Sequence, residues 1–210
     1  ELENGLVSIR ASENALRLVL LSRLEKFHEQ YPHVRLRISN HSTPQAIQAL
    51  RSDIVDFAAV TTPLDIKSPL EKIPLASYRE ILIGGRKYKK LAEHTQKLED
   101  IASLPFISLD ENSSTRELYN SFFLEHGLSF APDMETATTD QMLPLITHNL
   151  GIGFYPKKMA ELALTKGDVY QIPLEEKLPL RRIYLVTNGS TAKSTAVRKM
   201  IKFIQEYHKI

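Results

Sequence analysis

Short apolar runs alternate with longer helical patterns along this chain of 210 residues. Runs rich in β-branched and aromatic residues, often bounded by Gly, Pro, Ser or Thr, predict strands. These strands are Leu6–Arg10, Val34–Ser39, Phe57–Val60, Ile81–Gly84, Phe106–Leu109, Met134–Ala137, Ile152–Tyr155 and Arg182–Val186. Helical periodicity predicts helices at Ala15–Gln30, Gln45–Arg51, Glu117–His126, Gln141–His148 and Ser194–Tyr207. This alternation favours an α/β fold with mostly parallel sheets.

Two longer strand patterns predict how the chain divides. Both patterns end in glycine: they are PLASYREILIGG (74–85) and PLRRIYLVTNG (179–189). The segment between them has enough predicted strands and helices to form a lobe of its own. We therefore expect a discontinuous lobe I of residues 1–82 and 188–210 and an inserted lobe II of residues 83–187. The two crossing segments would then form a hinge. The alternative is a single wide sheet with long edge strands.

Hydroxyl-bearing turns precede most of the predicted helices. Three of them, starting at Ser42, Ser114 and Thr138, carry Glu or Gln three residues later, which is the spacing of a capping box. Ordinary capping is therefore one interpretation. The other is ligand binding, because parallel topology gathers these turns at the carboxyl edge of a sheet, where helix N-termini suit a carboxylate or phosphate. On this view the candidate ligand-binding residues are Ser12, Ser42, Thr43, Thr61, Asn112, Ser113, Ser114, Arg116, Thr138, Thr139 and Gly153.

Three of these candidates have specific alternatives. Thr61 also fits a plain turn before a proline, and Arg116 also fits neutralisation by the nearby Asp110 and Glu111. Gly153 also fits close packing of the backbone against a neighbouring strand. These alternatives stay open at the level of sequence.

Composition narrows the class of function. Lys and Arg number 27 against 25 Asp and Glu, a net charge of +2, so the chain has no global field that would gather nucleic acid. The absence of cysteine excludes disulfide scaffolds and thiolate catalysis and fits a cytoplasmic location. No apolar stretch reaches the roughly 20 residues of a membrane span. The chain opens with Glu-Leu-Glu, so we expect it to be cut from something longer.

The sequence has no specific catalytic or metal-binding pattern. The histidines lack i, i+2 or i, i+4 pairs, and there is no Gly-x-Ser-x-Gly elbow or phosphate loop. We therefore expect no enzyme activity, no metal and no cofactor.

The first predicted helix is more apolar than one buried face requires. Its surplus of Leu20, Leu24 and Phe27, or the opposite face, could meet a partner chain or be buried deeper in the same lobe.

Five segments resemble the effector-binding domain of LysR-type transcriptional regulators. They are GLVSIRAS (5–12), LSRLEKFHEQYPHVRLRI (21–38), ALRSDIVDFAAV (49–60), LEDIASLPFISLDENSSTR (98–116) and NLGIGFYPKKMA (149–160). Their order matters most, with F-x-x-x-Y-P-x-V first, L-x-x-x-x-x-D-F-A next and G-x-G-x-x-P late.

This resemblance implies a type II periplasmic-binding-protein-like fold, with two Rossmann-like lobes of mixed, mostly parallel sheets joined by two crossover segments. It also implies an effector in the interdomain cleft, a homodimer that could become a tetramer at full length, and DNA binding only through an absent N-terminal winged helix-turn-helix. Effector contacts would map to Ser12, the Ser42-Thr43 turn, Thr61 and the loops near Ser113 and Thr138. Glu13 and Asn14 depart from the family's usual second hydroxyl. The alternatives are an extracytoplasmic solute-binding protein of the same fold and an enzyme on this scaffold.

Overall fold

The computed structural model describes residues 4–207, and these form two compact units. Unit 1 runs to Ala76 and resumes at Arg182, and unit 2 is Ser77–Arg181. Both crossings therefore lie a few residues before the expected boundaries at 82/83 and 187/188. The strand pattern at 74–85 is in fact two strands, which divide at Arg79. Residues 1–3 and 208–210 of the expected lobe I lie outside the described residues.

Ten strands and eight α-helices make up the described chain. The strands are β1 Gly5–Ala11, β2 Val34–Asn40, β3 Phe57–Thr61, β4 Leu70–Tyr78, β5 Glu80–Gly84, β6 Ile107–Leu109, β7 Met134–Thr136, β8 Ile152–Pro156, β9 Tyr170–Ile172 and β10 Arg181–Asn188. The helices are α1 Glu13–Ala15, α2 Leu21–Gln30, α3 Thr43–Arg51, α4 Leu98–Ile101, α5 Ser114–Glu125, α6 Thr139–Thr147, α7 Lys157–Lys166 and α8 Thr195–Glu206. A π-helical stretch, Leu16–Leu20, joins α1 to α2, and a 3₁₀ segment covers Arg86–Glu93.

Unit 1 is built on a five-stranded sheet in the order β2-β1-β3-β10-β4. Strand β1 runs parallel to β2 and β3, and β10 runs antiparallel to β3. Strand β3 is buried along its whole length, as its uninterrupted apolar run FAAV predicts. The sheet is therefore mixed, with a parallel half whose strands end at one edge.

The apolar surplus of the first helix is buried within unit 1. Leu20, Leu24 and Phe27 are 0%, 5% and 1% exposed. The Phe27 ring packs edge-on against Phe203 of α8, with ring centroids 5.5 Å apart. Deeper burial is thus the correct interpretation for these three residues, and the opposite face exposes Leu21 to 51%.

Unit 2 contains an antiparallel three-stranded sheet, β8-β5-β9, and a parallel pair, β6-β7. An isolated parallel bridge between Phe106 and Ile152 joins the two sheets. One core cluster packs Phe106, Phe123 and Phe154 on one face of β5, and a second packs Ile83 and neighbouring aliphatic residues on the other. The separate sheets of five, three and two strands exclude the single wide sheet considered above for the described residues.

Glycines permit the close approach of β6 to β8. A Cβ at Gly153 would lie 2.9 Å from the carbonyl oxygen of Ile107 and 3.2 Å from side-chain atoms of Met142 and Ile146. A Cβ at Gly151 would lie 2.7 Å from the carbonyl oxygen of Pro105. Because backbone atoms cannot move aside as a flexible side chain can, these positions require glycine.

We predict that Gly153→Ala lowers the free energy of unfolding by about 1–3 kcal/mol, the usual cost of overpacking a core. Urea unfolding followed by circular dichroism measures the change. A variant as stable as the wild type would show that β6 and β8 can separate without cost.

Candidate functional site

The carboxyl ends of β1, β2 and β3 lie along one edge of the unit 1 sheet, because these three strands are parallel. Ser12 follows β1, Ser42 and Thr43 follow β2, and Thr61 ends β3. Backbone hydrogen bonds fix the spacing of these turns: the Ser12 N–H donates to the Ala59 carbonyl at 3.0 Å, and the His41 N–H donates to the Ala11 carbonyl at 3.0 Å. The structure therefore brings the four unit 1 candidates to one edge.

Ser12 is the N-cap of the first helix. Its Oγ accepts from the Ala15 N–H at 3.2 Å, and its carbonyl accepts from the Leu16 N–H at 2.9 Å. The neighbouring Glu13 carboxylate accepts from Asn40 Nδ2 at 2.9 Å and lies 3.9 Å from Arg17 Nε. The acidic residue that follows the cap is thus held by polar partners of unit 1.

Thr43 is tied directly to Thr61. Its Oγ1 donates to the Thr61 carbonyl at 3.1 Å and accepts from the Thr61 N–H at 3.4 Å, and both residues are buried. At the same turn the Ser42 N–H donates to Gln45 Oε1 at 3.2 Å, which is the backward half of a capping box. These bonds hold the backbone of Thr61 against Thr43 at the end of β3.

Arg10 is the cation at this edge that the sequence analysis missed. It lies near the end of β1, opposite Ser39 of β2 and Ala58 of β3. Its Nε is buried, and within residues 4–207 it has no hydrogen-bond partner. The available signal was an arginine two residues before the first cap in a largely apolar strand.

In unit 2, the loop after β6 forms a capped helix start. Ser113 Oγ accepts from the Arg116 N–H at 3.0 Å and donates to the Asp110 carbonyl at 3.1 Å. The Asn112 N–H donates to Asp110 Oδ1 at 3.0 Å. Ser114 is buried in the first turn of α5.

Arg116 is paired within unit 2. Its Nη1 donates to the Leu109 carbonyl at 3.2 Å and to Glu135 Oε1 at 2.9 Å, and its Nε donates to Asn120 Oδ1 at 3.2 Å. Glu111 lies 3.9 Å from Nη2. These contacts correspond to the alternative in which protein carboxylates neutralise this arginine.

The loop after β7 lies beside the loop after β6. The Asp110 N–H donates to the Thr136 carbonyl at 3.0 Å, which joins the two strand ends. Thr138 is the N-cap residue of α6, and Thr139 is buried in its first turn. Unit 2 thus brings its hydroxyl loops together, whereas Gly153 lies in the β6–β8 packing described above.

A buried polar network, also missed from sequence, joins the starts of β5 and β10 to α5. Glu80 opens β5 and Arg181 opens β10, and the Glu80 carboxylate accepts from Arg181 Nη1 and from the Tyr119 hydroxyl. Arg181 Nη2 donates to Thr115 Oγ1 at 2.9 Å, and its guanidinium lies 5.5 Å from the centre of the Tyr78 ring. The sequence signal was a charged residue at the start of each of two largely apolar strands.

The network perturbs the pKa of two of its members. Burial lowers the pKa of Arg181, but the charge of Glu80, helped by Tyr78 and Tyr119, outweighs burial and raises that pKa above its ordinary value. Burial and then the Glu80 charge raise the pKa of Tyr119 well above its ordinary value, although Arg181 opposes the shift. The network therefore holds a charged arginine and a neutral phenol.

The part of the chain that the structure describes has neither a metal-binding cluster nor a membrane-spanning helix. No cluster of three or more His, Asp or Glu residues there could hold a metal ion. No helix there has the length and apolar character needed to cross a membrane.

Comparison with known proteins gives consistent matches over nearly the whole chain. The family model of the LysR substrate binding domain matches residues 1–209. The chain is 21% identical over 201 residues to the uncharacterized HTH-type transcriptional regulator YeiE of Escherichia coli K12, covering 96% of this chain and 68% of that protein. It is 23% identical over 200 residues to a probable RuBisCO transcriptional regulator of Guillardia theta, covering 93% of this chain and 64% of that protein.

Two solved structures share the fold. The effector binding domain of QuiR in complex with shikimate superposes with a TM-score of 0.84 at 19% identity, covering 97% of each chain. The regulatory domain of CcmR from Synechocystis PCC6803 in complex with 2-PG gives 0.84 at 15% identity, covering 96% of each chain. These likenesses confirm the α/β fold with mixed sheets expected from sequence.

We predict that Arg181→Met lowers the free energy of unfolding by about 3–5 kcal/mol, because it leaves the Glu80 carboxylate buried without its cation. The double variant Glu80→Gln/Arg181→Met keeps an acceptor for Tyr119 and should recover most of the loss. Urea unfolding of both variants checks this, and a double variant no more stable than Arg181→Met would contradict it.

We also predict a loss of stability at alkaline pH that depends on Tyr119. Because its folded-state pKa is raised, its contribution is complete below the unfolded value of about 10 and is lost as the pH rises above that value. Tyr119→Phe should lower stability by about 1–3 kcal/mol at neutral pH and flatten the alkaline decline. Thermal melts across the pH range test this, with Tyr170→Phe, at a partly exposed tyrosine outside the network, as the control for the loss of a hydroxyl group.

Proposed function

The chain belongs to the LysR substrate binding domain family, and we propose that it binds a small anionic effector and thereby controls transcription. The observation that carries the proposal is the carboxyl edge of the unit 1 sheet. There the first turns of two helices lie beside an arginine that has no partner within residues 4–207.

The chemistry of that edge favours an anion. Helix N-termini present backbone N–H groups and a partial positive charge, and the Ser12 cap and the Thr43 turn lie next to two of them. Arg10 adds a full positive charge at the same edge, and a guanidinium pairs well with the planar oxygens of a carboxylate or phosphate. Caps and ligand contacts are compatible here, because each cap uses only part of the hydrogen-bonding capacity of its hydroxyl.

Unit 2 contributes a second set of candidate contacts. Asn112, Ser113 and Ser114 open α5, and Thr138 and Thr139 open α6. Arg116 and Gly153 are left out of the proposed contacts, because pairing with Glu135 and packing against Ile107 account for them. The expectation that one effector contacts both units stays a prediction.

The relatives support a regulatory role. QuiR and CcmR were solved with shikimate and with 2-PG, and both curated relatives are transcriptional regulators. The chain spans about two thirds of the length of those regulators. We therefore propose that DNA binding belongs to another part of the full-length protein. We also propose that this domain pairs as a homodimer in the full-length regulator. The regulator acts in the cytoplasm, where its DNA lies. Regulator relatives favour this role over solute transport or catalysis.

We predict that a thermal-shift screen of small carboxylates and phosphates identifies a stabilising compound, since a ligand of the folded state raises the melting temperature.

Arg10→Gln should weaken the binding of that compound by about ten- to a hundredfold, the value of a charge-assisted hydrogen bond. Isothermal titration calorimetry measures this. Arg35→Gln, at an exposed position early in β2, is the matched control and should bind like the wild type.

Ser12→Ala separates ligand binding from capping. Losing the cap alone costs about 0.5–2 kcal/mol of stability, and an effector contact would add a further loss of affinity. If affinity and stability fall by equal amounts, or if Arg10→Gln binds as tightly as the wild type, the proposed edge is not the effector site.

A further inference from the structure

Unit 2 contains a cavity of about 200 Å³ that none of the candidate effector loops lines. Its lining comes from the start of β5, from Phe154 of β8, from β9 and from the segment 174–178 that follows β9. Neither the Ser113 loop nor the Thr138 loop contributes to it. The cavity is therefore distinct from the hydroxyl-bearing edges described above.

A row of cross-strand neighbours lines the cavity. Leu82 of β5 is paired with Phe154 of β8 on one side and with Ile172 of β9 on the other. These three residues belong to the same core cluster, against which Leu174 and Leu178 also pack. Apolar side chains from the sheet and from the segment 174–178 thus line the same space.

The size of the cavity suits a single ring. An enclosed apolar cavity of about 150 Å³ in another protein is known to bind benzene. The present cavity is larger, but it is open to solvent and is lined by polar as well as apolar groups. A cavity of about 200 Å³ therefore has room for a six-membered ring carrying one small substituent.

The charged side chains around the cavity determine which substituent on the bound ring they favour. Both carboxylate oxygens of Glu80 are engaged, one by Arg181 and one by Tyr119. Glu176 Oε2 accepts from the Leu98 N–H at 2.9 Å. Arg79 and Lys177 also line the cavity and are exposed, and no partner for either side chain occurs within residues 4–207. Because Arg181 offsets the charge of Glu80, the two cations outnumber the one lining carboxylate that keeps an uncompensated charge, that of Glu176.

We propose that unit 2 carries a second small-molecule site, which takes a monocyclic carboxylate. The ring occupies the apolar space beside Leu82 and Phe154, and the carboxylate faces the exposed cations Arg79 and Lys177. Burying the ring provides the hydrophobic part of the affinity, and the two cations discriminate an acid from a neutral analogue.

Benzoate is the probe, titrated into the whole chain by calorimetry, with amide chemical shifts to locate it. Binding at millimolar concentration is expected, with shifts in β5, β9 and the segment 174–178. Lys177→Glu should weaken binding by about tenfold or more, since it replaces an attraction with a repulsion. Lys90→Glu, an exposed charge reversal of unit 2 outside the cavity lining, should leave the affinity unchanged.

Two further probes test the cavity itself. Leu178→Trp should fill the space and abolish binding, and a thermal melt shows whether that variant is folded. Should it fail to fold, Lys177→Glu still decides the matter, because its side chain is exposed. Toluene, which lacks the charge, should bind more weakly than benzoate, and equal binding would overturn the assignment of an acid.

An Arg10 variant distinguishes this site from the proposed effector edge. Arg10→Gln should leave benzoate binding at unit 2 intact. If benzoate does not bind, or if it responds to Arg10→Gln and not to Lys177→Glu, the second site is wrong, while the proposed effector function is judged by its own screen.

Discussion

The buried ion pair between Glu80 and Arg181 is the interaction on which the rest of the structure of unit 2 depends. The two residues are 101 positions apart, and each opens a strand where the chain passes between the units. Bringing both charges out of water costs several kcal/mol per ion, and the pair is stable only because hydrogen bonds satisfy its remaining groups. Tyr119 and Thr115 supply two of those bonds from α5. The starts of β5 and β10 and the helix that opens with the Ser113 cap are thereby fixed to one another.

This arrangement has a functional consequence under the proposed function. Thr115 lies two residues after the Ser113 cap, so the position of the α5 N-terminus is set by a group on the second crossing strand. A ligand that contacts the α5 loop would act on a helix start already tied to both crossings. Such a ligand shifts a conformational equilibrium only through its different affinities for the two states.

The same residues can serve as caps and as ligand contacts, because both roles use the N–H groups that the first turn of a helix leaves unpaired. In unit 1 the parallel strands place these turns at one edge, and the Thr43–Thr61 hydrogen bonds hold two of them in a fixed relation. Arg10 adds charge that the capping role does not require. The combination of fixed turns and a cation without a partner among residues 4–207 is the basis of the proposed effector site.

The sequence by itself determined the local elements. All eight predicted strands are present within two residues of their expected ends, and the helices that follow the Ser42, Ser114 and Thr138 turns begin two or three residues earlier than periodicity alone indicated. Helix α7 was missed, although Pro156 before it and Gly167 at its left-handed C-cap were readable signals. Strand β4 was not separated from β5, because their apolar patterns run together across Arg79.

Only the tertiary structure decided what the ambiguous side chains face. It buried Leu24 within unit 1, paired Arg116 with Glu135 and packed Gly153 against Ile107. It also joined Glu80 to Arg181, and this is a pairing that no local pattern records. The physical reason is that periodicity and capping depend on neighbours within one turn or one strand, whereas burial and charge pairing depend on segments brought together from far apart in the chain.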